Sequence, residues 1–149
     1  MAKVTMRMPE DFLLKISKLG DKTDEIIPKV LESGGEVVLK EVKSNLKSSI
    51  GKGTKIKSRS TGEQASSLGL TPVLMDRRGH HNIKVGFKEP RSDGDSNAKI
   101  ANILEYGRSN QPAKPFLKPA RRTSRKPCIE AMKERFNQEV NRIWIYLLN

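Results

Sequence analysis

The sequence is poor in the residues that form disulfides, metal sites and membrane spans. It has one cysteine, Cys128, and two histidines, His80 and His81, in 149 residues. A single cysteine excludes an intrachain disulfide, and so small a Cys and His content excludes the common Cys-rich zinc sites. No run approaches the ~20 apolar residues of a membrane-spanning helix, and residues 1–10 contain no apolar signal-peptide core. We expect a protein made in the cytoplasm, without membrane contact, metal or cofactor.

Aromatic residues are also scarce, at 5% of the chain, and hydrophobic residues reach only 35%. The core should therefore be modest in size and mostly aliphatic. Positive charge is in excess, because 29 Lys and Arg against 17 Asp and Glu give a net charge of +12. Such a charge favours nucleic acid, an acidic protein surface or an anionic membrane as partner, and the membrane is the weakest candidate.

The nucleophilic side chains lack catalytic spacing. Ser66 and Ser67 do not lie in a Gly-x-Ser-x-Gly turn, and residues 51–54 lack the spacing of a phosphate-binding loop. Cys128 lies near two cations that would lower its thiol pKa, although an inert half-buried cysteine is the commoner case. No pair of carboxylates stands out. We therefore predict that the chain is not an enzyme, since a hydrolase or nuclease needs a metal or nucleophile constellation that the sequence does not contain.

Apolar spacing predicts three main helices. Residues 9–19 and 24–50 carry apolar side chains at helical intervals, and residues 127–148 have the clearest amphipathic pattern, with Pro127 in the first turn. Two adjacent glycines, Gly34 and Gly35, interrupt the second helix, where each costs about 1 kcal/mol relative to alanine. They mark either a break, a close helix–helix contact or a close helix–sheet contact.

The middle of the chain predicts a β-hairpin followed by a short helix. Residues 70–75 are apolar, and residues 83–87 alternate apolar with polar or small side chains, as a strand with one buried face does. Residues 98–106 have helical spacing, with Ser96 or Asn97 as the N-terminal cap.

These elements predict an α+β fold in one domain that spans residues 1–149. A small antiparallel β-sheet should pack against the long N-terminal helix and the C-terminal amphipathic helix. In chain order we expect a helical part (residues 9–50), a loop and β-hairpin (51–90), a short helix with a Pro-rich basic segment (97–126), and the C-terminal helix (127–148).

The segment from residue 108 to residue 126 is basic and contains no acidic side chain. Its lysines and arginines can neutralise phosphates or an acidic protein face. No helix-turn-helix, zinc finger or RNA-binding aromatic motif accompanies them, so sequence-specific recognition is not expected. Non-specific contact with DNA, contact with an acidic partner and a solvated basic surface remain alternatives. The candidate contact residues are Arg108, Lys114, Lys118, Arg121, Arg122, Arg125 and Lys126.

A Leu-Glu-Tyr-Gly sequence at residues 104–107 precedes Lys-Pro-Phe-Leu-Lys-Pro-Ala at residues 114–120. This arrangement resembles the tail-component family of lambda-like siphophages, which carries an aromatic-Gly pair after a short helix and then a Pro-Phe-x-x-Pro-Ala element. Arg108 departs from the small hydroxyl residue that is common after the glycine. The motif residues that this resemblance implies are Thr61, Gly62, Glu105, Tyr106, Gly107, Pro115, Phe116, Pro119 and Ala120.

The motif has an architectural rationale. Gly107 permits a left-handed turn at the end of the short helix. The prolines fix the geometry around Phe116 and Leu117. These two side chains can anchor on the core the segment that follows the short helix, which we call the crossing segment.

The resemblance implies a structural protein of the head–tail connector or tail-completion region of a virion, made in the bacterial cytoplasm. Its partners would be other tail and neck proteins, further copies of itself in a ring, and non-specifically the phage DNA. The polar loops at residues 51–60 and 89–97 would become ordered against neighbouring subunits. The alternative is a non-specific nucleic-acid-binding protein, which the net charge alone favours.

Overall fold

The computed structural model describes residues 20–51 and 62–148. Within these ranges no helix is long and apolar enough to cross a bilayer. The helix predicted at residues 9–19 and most of the loop at 51–60 lie outside them. After one 3-10 turn the elements are α1 (Thr23–Ser49), α2 (Glu63–Ser67), β1 (Leu68–Leu70), β2 (Leu74–Met75), β3 (His81–Asn82), β4 (Val85–Phe87), α3 (Asn97–Tyr106) and α4 (Leu117–Leu148).

The two long helices, α1 and α4, pack against each other over most of their length and form the frame of the fold. Val42 and Leu46, near the end of α1, share a buried cluster with Ala120 at the start of α4. Ile26, near the start of α1, packs with Val140 near the end of α4. The helices are therefore antiparallel. The predicted α+β class is confirmed, and the small antiparallel strand pairs contact mainly α1.

The adjacent glycines of α1 allow two different close contacts. A Cβ at Gly34 would lie 2.6 Å from Met132 Cγ on α4, and a Cβ at Gly35 would lie 3.1 Å from Leu70 Cδ2 on β1. Successive residues of an α-helix point about 100° apart, so one glycine faces the partner helix and the other faces the hairpin. The helix runs through both positions without a break. Of the three interpretations, the break is wrong and both close contacts are present.

The predicted hairpin is present in two antiparallel parts. β1 pairs with β4, with Leu68 opposite Phe87, and β2 pairs with β3, with Met75 opposite His81. Between the two parts, residues 71–73 face only residues 83–84, so the first strand carries one extra residue. Pro72 lies in this interruption. It has no backbone N–H, and at this position the ladder does not require one. Both strands are consequently interrupted, rather than continuous over residues 70–75 and 83–87.

The C-terminal helix begins ten residues earlier than predicted, at Leu117 instead of Pro127. Pro119 lies in the first turn, where backbone N–H groups have no partner within the helix, so it does not act as a breaker. Pro127 lies inside the helix and removes one hydrogen bond there. Apolar periodicity missed this first part because its buried positions carry small side chains, Ala120 and Ser124.

Replacing Gly34 with valine should lower the free energy of unfolding by about 1–3 kcal/mol, because the added side chain overlaps Met132 at the α1–α4 contact. Urea unfolding measures the change. Helix propensity alone predicts the opposite sign, since valine is a better helix former than glycine. The matched control is Glu36→Val, at an exposed position of the same helix, which should change stability by less than about 0.5 kcal/mol. Equal effects of the two substitutions would contradict close packing at Gly34.

Candidate functional site

The carboxylate of Glu105 joins α3 to the start of α4. The residue is 7% exposed. Its Oε2 accepts hydrogen bonds from the backbone N–H groups of Phe116 and Leu117 at 2.8 and 2.9 Å, and its Oε1 accepts one from the N–H of Lys118 at 2.9 Å. N–H groups at a helix start have no intrahelical partner, and the helix dipole is positive there. One anionic side chain therefore satisfies three donors at the site where α4 begins.

The pKa of Glu105 reflects two opposing effects. Burial by itself raises the pKa of the carboxyl, because it disfavours the charged form. The backbone hydrogen bonds from Leu117, Phe116 and Lys118, together with the Lys118 charge, outweigh burial and hold the pKa below the ordinary glutamate value. The carboxylate is therefore ionised at neutral pH, and its role is to bind the helix start rather than to exchange protons.

Gly107 lets the chain leave α3 and turn towards α4. Its φ is +76° and its ψ is −179°, so the predicted positive φ is present but the residue is extended rather than left-handed helical. This region is nearly exclusive to glycine. A Cβ there would also lie 2.8 Å from the backbone nitrogen of Ala113. Both features require glycine at the head of the crossing segment.

Phe116 anchors the crossing segment in the core. It is fully buried, and its ring meets Phe87 edge-to-face with centroids 6.4 Å apart. Its carbonyl accepts a hydrogen bond from the Asn45 side chain of α1 at 3.3 Å. Leu117, which we expected to share this anchoring role, is 38% exposed instead.

The other predicted motif residues have different environments. Ala120 is buried in the core, whereas Tyr106 is 78% exposed. Gly62 has a φ of +79° immediately before α2. Pro115 is exposed and Pro119 is half-buried. Thr61 lies outside the described residues.

A groove of about 810 Å³ lies beside the Glu105 cap, between α1, β4 and α4. Val38, Val42 and Val85 form its apolar part. Exposed apolar side chains also line it, and these are Tyr106, Leu117 and Ile129. Concave sites with an apolar surface and a few polar groups are typical binding sites.

The groove divides the seven basic residues that the sequence singled out. Lys118, Arg121 and Arg125 line it. They are three and four residues apart on α4, so they share one side of the helix. The remaining four lie outside the groove, and these are Arg108, Lys114, Arg122 and Lys126. This division depends on the helix beginning at Leu117, which the sequence did not reveal.

Two small polar side chains of α4 also line the groove. Burial raises the pKa of the Cys128 thiol, opposite to the lowering that we expected from Arg125 and Lys126, so this thiol is not activated. Ser124 is 3% exposed, and its hydroxyl has no hydrogen-bond partner among the described residues. A buried hydroxyl without a partner costs about 1–3 kcal/mol.

The loop at residues 89–97 is tied down within the subunit, contrary to the expectation that it becomes ordered only on assembly. The Arg91 guanidinium donates to Asp93 Oδ1 at 3.1 Å and to Asn97 Oδ1 at 3.0 Å. Glu63 accepts a hydrogen bond from the Ser92 backbone N–H at 2.7 Å. Asn97 is 1% exposed and donates to the Lys88 carbonyl at 2.9 Å. The sequence signal was the close Arg91–Asp93 spacing.

A second buried carboxylate, that of Glu139, lies between the helices near the end of α4. It is 4% exposed. Its oxygens lie 3.5 Å from Lys29 Nζ on α1, and 3.0 and 3.7 Å from the guanidinium nitrogens of Arg135 and Arg142. The spacing of Arg135, Glu139 and Arg142 at three and four residues was a visible signal for this ion-pair cluster, which fixes the helices together.

The histidines form no metal centre in the described residues. His80 Nδ1 lies 3.3 Å from Asp76 Oδ2 in the exposed hairpin turn, and His81 belongs to β3. Within residues 20–51 and 62–148, no group of three or more His, Cys, Asp or Glu residues could hold a metal ion.

Comparison with known families identifies the chain. A family model described as "Bacteriophage HK97-gp10, putative tail-component" matches residues 10–107, about two thirds of the chain. The chain belongs to this HK97-gp10-like family. Comparisons with curated proteins and with solved structures gave no match. The predicted membership of a phage tail-component family is thereby confirmed.

The family match covers only part of the candidate site of this HK97-gp10-like protein. The matched region ends at Gly107 and includes Glu105. The backbone groups that Glu105 caps, and the cationic wall of the groove, belong to residues beyond it. The site therefore combines a residue of the matched region with a helix outside that region.

Replacing Glu105 with glutamine should lower the free energy of unfolding by about 1–3 kcal/mol at pH 7, because the amide loses the charge and turns a donor towards N–H groups. The folded carboxyl has the lower pKa, so its contribution is complete above the ordinary glutamate value. It is lost as the pH falls through the folded value. The difference between wild type and variant should therefore shrink in acid.

Urea unfolding of both proteins, from about pH 8 down to about pH 3, measures this difference. Glu130→Gln, at an exposed position of α4, is the control for removing one negative charge and should leave stability nearly unchanged. A Glu105→Gln deficit that stayed constant across this pH range would show that the carboxylate charge does not stabilise α4.

Proposed function

We propose that this HK97-gp10-like protein is a structural component of the head–tail connector or tail-completion region of the virion, where it assembles in a ring with neighbouring virion proteins. Membership of a phage tail-component family carries the proposal. The geometry supports it, because Glu105, Gly107 and Phe116 all serve architecture: a helix cap, a turn and a core anchor. The protein thus acts by assembly and not by catalysis.

The end of the hairpin supports subunit contacts. Leu74 and Met75 are 52% and 60% exposed, and they are consecutive residues of β2. Within the described residues, β2 pairs with β3 alone, so its other edge is open. An open strand edge with exposed apolar side chains is a template for pairing with another chain. In a ring, such an edge would be covered by the next subunit.

The alternative function is non-specific binding of nucleic acid. The net charge of +12 favours it, and so do the exposed cations of α4 that lie outside the groove, Arg122 and Lys126. This function would give tight binding of double-stranded DNA by the isolated chain, and affinity would fall steeply as salt rises.

Deleting the gene from the phage or prophage that encodes it should leave heads and tails made but not joined into infectious particles. Electron microscopy of the lysate and plaque counts measure this, and expression of the wild-type chain in trans should restore joining. Normal infectious particles from the deletion would refute the proposed function. The ring is checked separately by light scattering, in which a defined multiple of the 16.7 kDa subunit mass is expected.

A further inference from the structure

The groove beside the Glu105 cap has an apolar bottom and a cationic wall. Val38, Val42 and Val85 supply the apolar surface, and Lys118, Arg121 and Arg125 supply the charge. From Leu117 to Ile129 the lining part of α4 spans about 18 Å. A helical segment of about 12 residues has that length.

The positive charge of this wall is only partly neutralised within the groove, since three cations face one carboxylate. Among the described residues that line it, Glu105 is the one carboxylate, and both of its oxygens accept hydrogen bonds from backbone N–H groups of α4. The partner that complements the wall must therefore bring negative charge.

Ser124 is a second and independent sign of a missing ligand. The residue lines the groove and is 3% exposed, and its buried hydroxyl has no hydrogen-bond partner in the described part of the chain. If the side chain turns towards an occupant, its hydroxyl can donate a hydrogen bond to a carboxylate or carbonyl oxygen there, which removes the cost of the unmade bond.

The apolar component argues for a protein segment rather than DNA. Phosphates need cations but gain nothing from an apolar concavity, and contact with a DNA backbone would leave the valines uncovered. Tyr106 and Ile129, exposed by 78% and 39%, extend the apolar surface to the groove edge. An amphipathic helix in an apolar groove is an established recognition mode.

The exposed hairpin of a second copy is a poor match for this groove. Its apolar pair, Leu74 and Met75, is followed by one acid, Asp76, and then by Arg77 and Arg78. The net charge of this turn is therefore positive, like that of the groove wall. Charge complementarity instead favours a different protein.

We propose that the groove between α1 and α4 binds an acidic amphipathic segment of another protein. Apolar side chains of the segment lie on Val38, Val42 and Val85, and its carboxylates pair with Arg121 and Arg125. The identification of this partner as a neighbouring protein of the virion rests on the proposed function. The chemistry of the bound segment is inferred from the groove alone.

Two double variants of the full chain test the groove. Arg121→Glu/Arg125→Glu reverses two cations that line it, and Arg122→Glu/Lys126→Glu reverses two exposed cations on another side of the same helix. Both variants change the net charge equally, so a difference in binding between them reports the position of the reversed cations. Circular dichroism and urea unfolding establish whether both variants fold as the wild type does. If Arg121→Glu/Arg125→Glu does not fold, Arg121→Gln/Arg125→Gln replaces it.

The probes are a displayed library of random peptides of about 12 residues, selected on the wild-type protein, and a double-stranded DNA fragment. We expect the selected peptides to be rich in Asp, Glu and large apolar residues. Their affinity should fall about tenfold or more for Arg121→Glu/Arg125→Glu and remain within about twofold for Arg122→Glu/Lys126→Glu.

Other outcomes overturn the proposal. Peptides without acidic residues, no enriched peptides, or equal loss in both double variants would each refute an acidic segment in the groove. DNA binding that only the groove variant loses would make the groove a nucleic-acid site instead. Failure of the proposed function is separately visible, because it is measured by joining of heads and tails after gene deletion and does not depend on peptide selection.

Discussion

The fold depends on the hydrogen bonds between the Glu105 carboxylate and the first backbone N–H groups of α4. A 32-residue helix needs a defined start, and α4 has a proline-rich approach with no local capping side chain of its own. Glu105 supplies the cap from the end of another helix, so α3 and α4 are fixed relative to each other by one interaction. The position of Phe116 in the core follows from it.

The same arrangement produces the groove. Once α4 begins at Leu117, its first turns lie along α1, and the small side chains Ala120 and Ser124 allow the two helices to approach closely. Gly34 allows the same approach further along. Arg121 directly follows Ala120 and Arg125 directly follows Ser124, and both cations line the groove. The start of α4 at Leu117 therefore accounts both for the close packing of α1 against α4 and for the positive charge of the groove wall.

Much of the fold could be predicted from the sequence, and the failures have physical causes. The helix α1 and the hairpin follow from apolar periodicity, and Ser96 caps α3 by accepting from the Lys99 N–H, as one of two predicted caps. The start of α4 could not be predicted, because its buried side chains are small and its cap lies in another element. The sequence singled out the basic residues as a set, and their role in binding stays a prediction. Which of them line the groove could not be predicted, because that depends on where α4 begins and so on which side of the helix each residue lies.

Amide hydrogen exchange at Phe116, Leu117 and Lys118 tests the central claim most directly. N–H groups at a helix start ordinarily exchange fast, because they have no intrahelical partner. If the Glu105 carboxylate accepts hydrogen bonds from all three, their exchange in the wild-type protein at neutral pH should be as slow as that of amides in the middle of α4. Fast exchange at these three amides, with a protected helix interior, would contradict the account.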